Sequence, residues 1–415
     1  MPAANLTQAL TTFSPTALHG TELNLYYVQY PRTLLSRMET QLRAQSRLKI
    51  LFTGHRISGK TTALNALAAR LQDAFFIANF SVLDSLNAHD VHYADLMLVM
   101  AARLLEQATD EKLFPKGVKA LVKENLLDDI RLWFEKRIDG LQFVPAPQER
   151  SLGGQVNFLA VQLEAKVSTE TLTRQTLRER ISLHLSELID RMRYVIDEVE
   201  RNGKRRVLFI VEDIDKLNLA NARELFLEHA RSLTTVPASI IYTYPVALRN
   251  SLDFTHITPN FGRHYILPPV SVRDKAGKPD SEGLRILREI FLRRLDQALI
   301  EPDALDVLIA ASGGLVGTLI RLGQWAAEQA LVDGKAAIDL PSAQQAISEM
   351  RGDFKALLRL QDYEVLRQQL AGEQLTNEEA VREALYTGCL LEYFNGEPWF
   401  GIHPIVQPLI ERSSP

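Results

Sequence analysis

Gly54-His55-Arg56-Ile57-Ser58-Gly59-Lys60-Thr61 satisfies the pattern G-x-x-x-x-G-K-S/T in full, and Thr62 follows with a second hydroxyl. Glycine at both ends permits a backbone too tight for side chains, so successive N–H groups converge on an anion. A lysine beside such a loop reaches the β- and γ-phosphate oxygens, and the next hydroxyl is placed to ligate Mg²⁺. Residue types and spacing therefore describe a cradle for a nucleoside triphosphate, formed by Gly54, His55, Arg56, Ile57, Ser58, Gly59, Lys60, Thr61 and Thr62. The plain alternative is a chance glycine turn ahead of a helix. Context tells against it: an apolar run of strand length, Leu48 to Phe52, precedes the loop, and an Ala- and Leu-rich helical stretch, Thr61 to Leu71, follows.

Hydrolysis would need two further groups, a metal-side carboxylate and a base that orients water, and both belong at the end of a neighbouring strand. Val207 to Val211 is five apolar residues ending in Glu212-Asp213-Ile214-Asp215. Glu212 closes the strand and is the metal-side candidate together with Thr61; Asp213 is the candidate for activating the attacking water. Asp215 is expected to orient a neighbour or brace the loop. A solvated acidic turn is the bland reading of the same residues. Thr243 closes the next apolar run, where a hydroxyl contacts the γ-phosphate or the water, or else bonds its own turn. Arg263 precedes a fifth run, His264 to Leu267, at a position from which an arginine could reach a nucleotide held by an adjacent subunit. A surface salt bridge explains it equally well, and Arg249 is a weaker substitute.

Strands at Leu48–Phe52, Phe75–Val82, Val207–Val211, Ala238–Tyr242 and His264–Leu267 alternate with helical stretches. That predicts an α/β fold, a P-loop parallel sheet with the ligand at the carboxyl ends of its strands. Thr173 to Asn202 reads as one long amphipathic helix with a core-facing stripe, stopped by Gly203. A helical lid follows a polar linker, and the chain ends in helix Asn377–Tyr386 and two short strands around Asn395-Gly396, a hairpin signal and the outline of a winged helix. The expected divisions are 1–46, an N-terminal arm (its first twenty residues loose) and adenine-side segment; 47–272, the ATPase core, with an insertion at about 111–171; 283–350, the lid; and 351–415, the winged-helix-like unit.

The 415 residues carry a formal charge of −4, so no global basic field advertises nucleic acid or membrane. Cys389 is the sole cysteine, which excludes an internal disulfide or a cysteine metal cluster and suits a reducing compartment. Met1 to Gly20 lacks the pattern of a secretory signal, and no run of about 18 apolar residues occurs. A cytoplasmic setting without membrane contact is expected.

Gathered together, these residues resemble the AAA+ and STAND class of P-loop ATPases. More narrowly, Ser58-Gly59-Lys60-Thr61-Thr62 after Gly54-His55-Arg56, the stretch Val211 to Leu217, Ile240 to Leu248, and Ser312-Gly313-Gly314 ahead of Leu319-Ile320-Arg321-Leu322 look like a group of bacterial stand-alone ATPases. The resemblance implies ATP and Mg²⁺ as ligands, Glu212 and Asp213 as the acidic pair, Thr243 as the first sensor and Arg263 as the finger. Two departures stand out. Glu212 occupies a position where such proteins usually have Asp, and Gly317 sits where they often have an arginine, with Arg321 about one turn further on. The class implies a slow, oligomeric regulatory ATPase that switches or assembles a separate effector protein, in a setting like bacterial anti-phage defence. The rivals are a DNA-binding motor or loader and a nucleotide-binding pseudo-ATPase. Against DNA, the C-terminal unit carries Glu378, Glu379, Glu383, Glu392 and Glu397 beside Arg382, and acidic surfaces repel phosphate. Arg285, Arg288, Arg293 and Arg294 are the basic residues that could instead line a pore.

Overall fold

The computed structural model describes residues 2–111, 113 and 171–412. Most of the expected insertion, including a helix at 118–138 and a period-two stretch at 159–167, lies outside the described residues. Five strands, β1 (Lys49–Gly54), β2 (Phe75–Ser81), β3 (Arg206–Glu212), β4 (Ser239–Thr243) and β5 (Arg263–Leu267), form one parallel sheet in the order β2-β3-β4-β1-β5. Their continuous apolar runs follow from burial on both faces. Leu51, Phe209, Ile240 and Tyr242 point into one core cluster, while Ile50, Phe52, Leu208 and Ile241 point into another on the opposite face. The register aligns Ser81 with Glu212, Phe52 with Thr243 and Gly54 with Leu267, so the chemically important strand ends share one edge.

The first twenty residues are not a loose arm. Helix α1 (Leu6–Thr12) buries Leu6 and Ala9, and Phe13 beyond it packs on Phe291 with ring centroids 4.6 Å apart. Residues at i, i+3 and i+7 form an apolar stripe that the surrounding Thr and Ala disguised. After α2 (Thr21–Tyr26) and α3 (Leu34–Ala44) come α4 (Lys60–Leu71), leaving the loop, and α5 (Tyr93–Asp110). The predicted single helix over 173–202 is two, α6 (Thr171–Leu183) and α7 (Leu185–Gly203), broken at His184, whose ψ of 23° departs from the helical range. Leu188, Met192, Val195 and Val199 of α7 face the sheet core, and the left-handed residue ending it is Lys204, not Gly203.

Helices α8 (Ser281–Leu292), α9 (Pro302–Ala311), α10 (Val316–Val332) and α11 (Leu340–Leu357) share a separate core that also takes in α1. The last unit holds α12 (Leu360–Ala371), which the sequence reading missed, α13 (Glu378–Thr387), the antiparallel pair β6 (Leu390–Tyr393) and β7 (Trp399–Ile402), and α14 (Gln407–Arg412). Among the described residues no helix is long and apolar enough to cross a membrane.

Candidate functional site

The loop between β1 and α4 is a tight turn. Gly59 adopts φ +95° immediately before α4, a conformation that L side chains resist, and the first N–H groups of α4 lack partners within the helix. Ile57, β-branched and exposed, is also left-handed at φ +56°. Lys60 is buried, and its Nζ donates to the carbonyls of Gly54 (3.1 Å) and His55 (2.9 Å) and lies 2.9 Å from Asp215 Oδ2. Asp215, the third acid of the cluster, is therefore the partner of the loop lysine in this state. The sequence signal was its place in Glu212-Asp213-Ile214-Asp215, but its role was open until the contact was seen.

Glu212 ends β3 in a buried position. Burial raises its pKa, opposed by hydrogen bonds from the Thr61 and Asn79 side chains and assisted by the charges of Asp213 and Asp215. Its Oε2 has no hydrogen-bond partner among the described residues. Asp213 takes a left-handed backbone (φ 68°), accepts a 2.7 Å hydrogen bond from Ser81 Oγ and pairs with Lys216 at 2.7 Å. A non-glycine residue held there stores strain of the kind concentrated at functional turns. Thr243 is buried and its hydroxyl donates a long 3.4 Å bond to the Val211 carbonyl, so it bonds across to β3 rather than to its own turn. Arg263 is exposed as the first residue of the edge strand β5, opposite Ile50 and away from the carboxyl edge.

A cavity of about 250 Å³ joins these parts. Ser58 to Thr62, Asp213, Asp215 and Thr243 form its polar end; Leu18, Tyr26, Val28, Tyr30, Val270 and Ile320 contribute mostly apolar wall. Residues before α2 are fixed over α4 by Leu18 N–H donating to Thr62 Oγ1 (3.1 Å) and Asn65 Nδ2 donating to the Leu18 carbonyl (2.9 Å). The start of α10 meets the loop itself: Gly317 N–H donates to the Ile57 carbonyl at 2.8 Å, and a Cβ at 317 would lie 2.7 Å from both Ile57 Cβ and its oxygen. No side chain fits there, which accounts for the absent arginine; Arg321 lines the cavity instead.

Arg294 also lines this cavity. It is 5% exposed, its Nη1 donates to the Ile290 carbonyl (2.9 Å), and its guanidinium lies 5.2 Å from the Tyr26 ring centroid. Its Nε lacks a partner, no carboxylate pairs with it among the described residues, and burial pulls its pKa down to about 10. The other candidates for a basic pore are occupied: Arg285 pairs with Glu282 and Glu289, Arg288 with Asp306, and Arg293 with Glu289.

Two loop side chains also hold the C-terminal unit, one of them, Arg56, while lining the cavity. His55 Nε2 accepts the backbone N–H of Glu392 at 2.8 Å. Burial chiefly, then the Lys60 charge, lowers the His55 pKa to about 3, so the ring is neutral. Arg56 stacks over the Tyr386 ring at 4.9 Å, and Tyr386 Oη donates to the carbonyls of Lys216 (3.1 Å) and Leu217 (3.0 Å) just after the acidic cluster. Glu392 is buried against Arg249 and Asn250. It is thus not part of an acidic surface, and Arg249 is not a free finger. His403 is a packing residue, buried beside Phe354.

No family model matches the chain, and no curated protein matches it in sequence. Among solved structures it is similar to the Aeropyrum pernix ORC2 protein, described in ADPNP–ADP complexes (12% identity, 96% of this chain and 95% of that chain, TM-score 0.45). It is similar also to a Walker-type ATPase of Pyrococcus abyssi (13% identity, 96% and 99% covered, TM-score 0.47). A third is the RuvB Holliday junction branch migration motor of Thermotoga maritima (13% identity, 94% and 99% covered, TM-score 0.39).

Proposed function

We propose that this chain is an ATP-binding, slowly hydrolysing regulatory ATPase of the AAA+/STAND type, in which the phosphate loop passes its state to the C-terminal unit. The observation that carries the reading is the double use of the loop. Its backbone, Lys60 and Thr61 face the cavity, while His55 and Arg56 grip β6 and α13. A ligand that reshapes the loop must act on that grip.

Lys60 exchanges the Gly54 and His55 carbonyls for phosphate oxygens, and the apolar wall takes the base. The orphaned Glu212 Oε2 and the Thr61 hydroxyl form an all-oxygen pair suited to Mg²⁺. When bound, the cation would neutralise charge on the β- and γ-phosphates. Asp213 orients the attacking water once it loosens from Lys216, a step that fits slow turnover. Asp213→Asn should bind ATP as wild type does and hydrolyse it at least tenfold more slowly; full-speed turnover would remove Asp213 from the role. Arg263, exposed on an edge strand away from the carboxyl edge, could act only on a nucleotide held by a neighbouring subunit, and the homo-oligomer follows from the resemblance. The likeness of the motifs to bacterial stand-alone ATPases favours an effector protein of the defence kind.

A DNA motor is the weaker reading. The hairpin turn is tied down, with Asn395 Nδ2 donating to Ser271 Oγ (2.7 Å) and the Arg273 carbonyl (3.1 Å), and α13 begins with Glu378 and Glu379. The deciding measurement is hydrogen exchange across 378–402 with and without ATP·Mg²⁺. Protection there should change in wild type and stay constant in Lys60→Ala. Identical exchange in every nucleotide state counts against loop-to-hairpin coupling.

A further inference from the structure

We propose that His92, Glu224 and His229 form a binding site for one divalent transition-metal cation, with zinc as the reference ion. None of the three lines the nucleotide cavity. Their ligand atoms lie within 4.8 Å of one another. A common centre is then within about 2.8 Å of all three, so shifts of under about 1 Å give zinc its ordinary bond lengths of roughly 2.0–2.2 Å.

The backbone is arranged for this meeting. Glu224 and His229 are five positions apart, and on an α-helix they would point about 140° away from each other. Here Glu224–Glu228 is a π-helical turn, with the His229 N–H donating to the Glu224 carbonyl at 3.2 Å, and the wider turn returns both side chains to one face. His229 Nε2 stands 3.7 Å from Glu224 Oε1. His92 comes from another element, just ahead of α5, where its own N–H is anchored on Asp95 Oδ2 (3.2 Å) and its ring lies 5.2 Å from that of His229.

The surrounding charges suit a cation. Arg178, whose charge acts on His92, is engaged by Asp90 and Asp95, and Arg223 is engaged by Asp253 and Glu228. Burial, then Arg178 and His229, holds the His92 pKa down to about 4, so its imidazole is unprotonated at neutral pH. His92 Nδ1 currently accepts a long 3.3 Å bond from the Ala94 N–H. A cation would replace that bond, and the buried Ala94 N–H would lose a long, weak acceptor, a cost to be set against the new metal bonds. Two imidazoles and one carboxylate select zinc, cobalt, nickel or copper over magnesium and calcium, and leave a fourth position for water. Loading would pin the π-helical turn Glu224–Glu228 to the start of α5.

Metal-free full-length protein titrated calorimetrically with Zn²⁺, in millimolar Mg²⁺ to fill oxygen-only sites, tests the assignment. Wild type should take up one equivalent, with a rise of several degrees in thermal midpoint. Glu224→Gln and His229→Gln should each weaken uptake at least tenfold. The half-exposed Glu224 makes its variant safe for folding should His229→Gln prove unstable. No uptake by wild type, or undiminished uptake by folded Glu224→Gln, overturns the site.

Discussion

Two buried cations face the same cavity, one from the phosphate loop and one from the lid, and they are solved differently. Lys60 is compensated within the protein, by Asp215 and two carbonyls. Arg294 has carbonyls and the Tyr26 ring but no carboxylate, and one of its donors is idle. Removing a buried donor's partner costs about 1–3 kcal/mol, more for a charged group. A lysine with a resident partner can wait for phosphate at little cost and must trade contacts when phosphate arrives. An arginine without one gains outright from a ligand that brings acceptors.

That contrast can be broken at four points. Lys60→Ala should remove nucleotide binding altogether in calorimetry, since Lys60 is the buried positive charge of the loop itself; near-normal binding would empty the comparison of meaning. Asp215→Asn leaves the lysine charge buried and unpaired, and should lower stability of the ligand-free protein by about 3 kcal/mol. ATP should then raise its thermal midpoint more than it raises that of wild type. The third concerns the neutral ring beside Lys60. His55 titrates at about 3 when folded against 6.5 as its ordinary value, and His403 likewise falls to about 3. Between these pH values the unfolded chain holds more protons, so stability declines as pH falls from 6.5 towards 3. At pH 5 the loss should be about 2 kcal/mol per histidine. Urea midpoints at pH 7 and 5 measure it, and His55→Gln should roughly halve the difference, leaving the His403 share. The smallest effect is expected from Arg294→Met, a roughly tenfold loss of affinity for ATP and ADP alike, about 1.4 kcal/mol. Unchanged binding would make Arg294 a purely structural group; loss confined to ATP would move it to the γ-phosphate.

What could be read from the residues alone follows the range of the interactions. The loop and five strands are local patterns, and each strand was found within a residue or two of its ends. Arg206 opens β3 although its charge disguises it, because its guanidinium reaches the carbonyls of Leu42, Arg43 and Gln45. The break at His184 does not interrupt the apolar period, so two helices read as one. Helix α12 buries only Asp362, Val365 and Leu366, too thin a stripe to announce itself. Asp215 meeting Lys60, Glu392 meeting Arg249 and Arg294 entering the cavity join residues far apart in sequence, and no periodicity encodes them. Glycine at 317 was visible as an oddity, but its reason is a contact with Ile57.

That contact ties the loop to the first turn of α10. An isoleucine in the left-handed region is under tension of about 1–2 kcal/mol, and its carbonyl is held by the Gly317 N–H. Lifting that helix end would free the Ile57 carbonyl and, if the loop holds phosphate as proposed, disturb the N–H groups around it. Leverage on α10 from its far end, where Val332 stands in solvent, would then loosen the nucleotide without touching it.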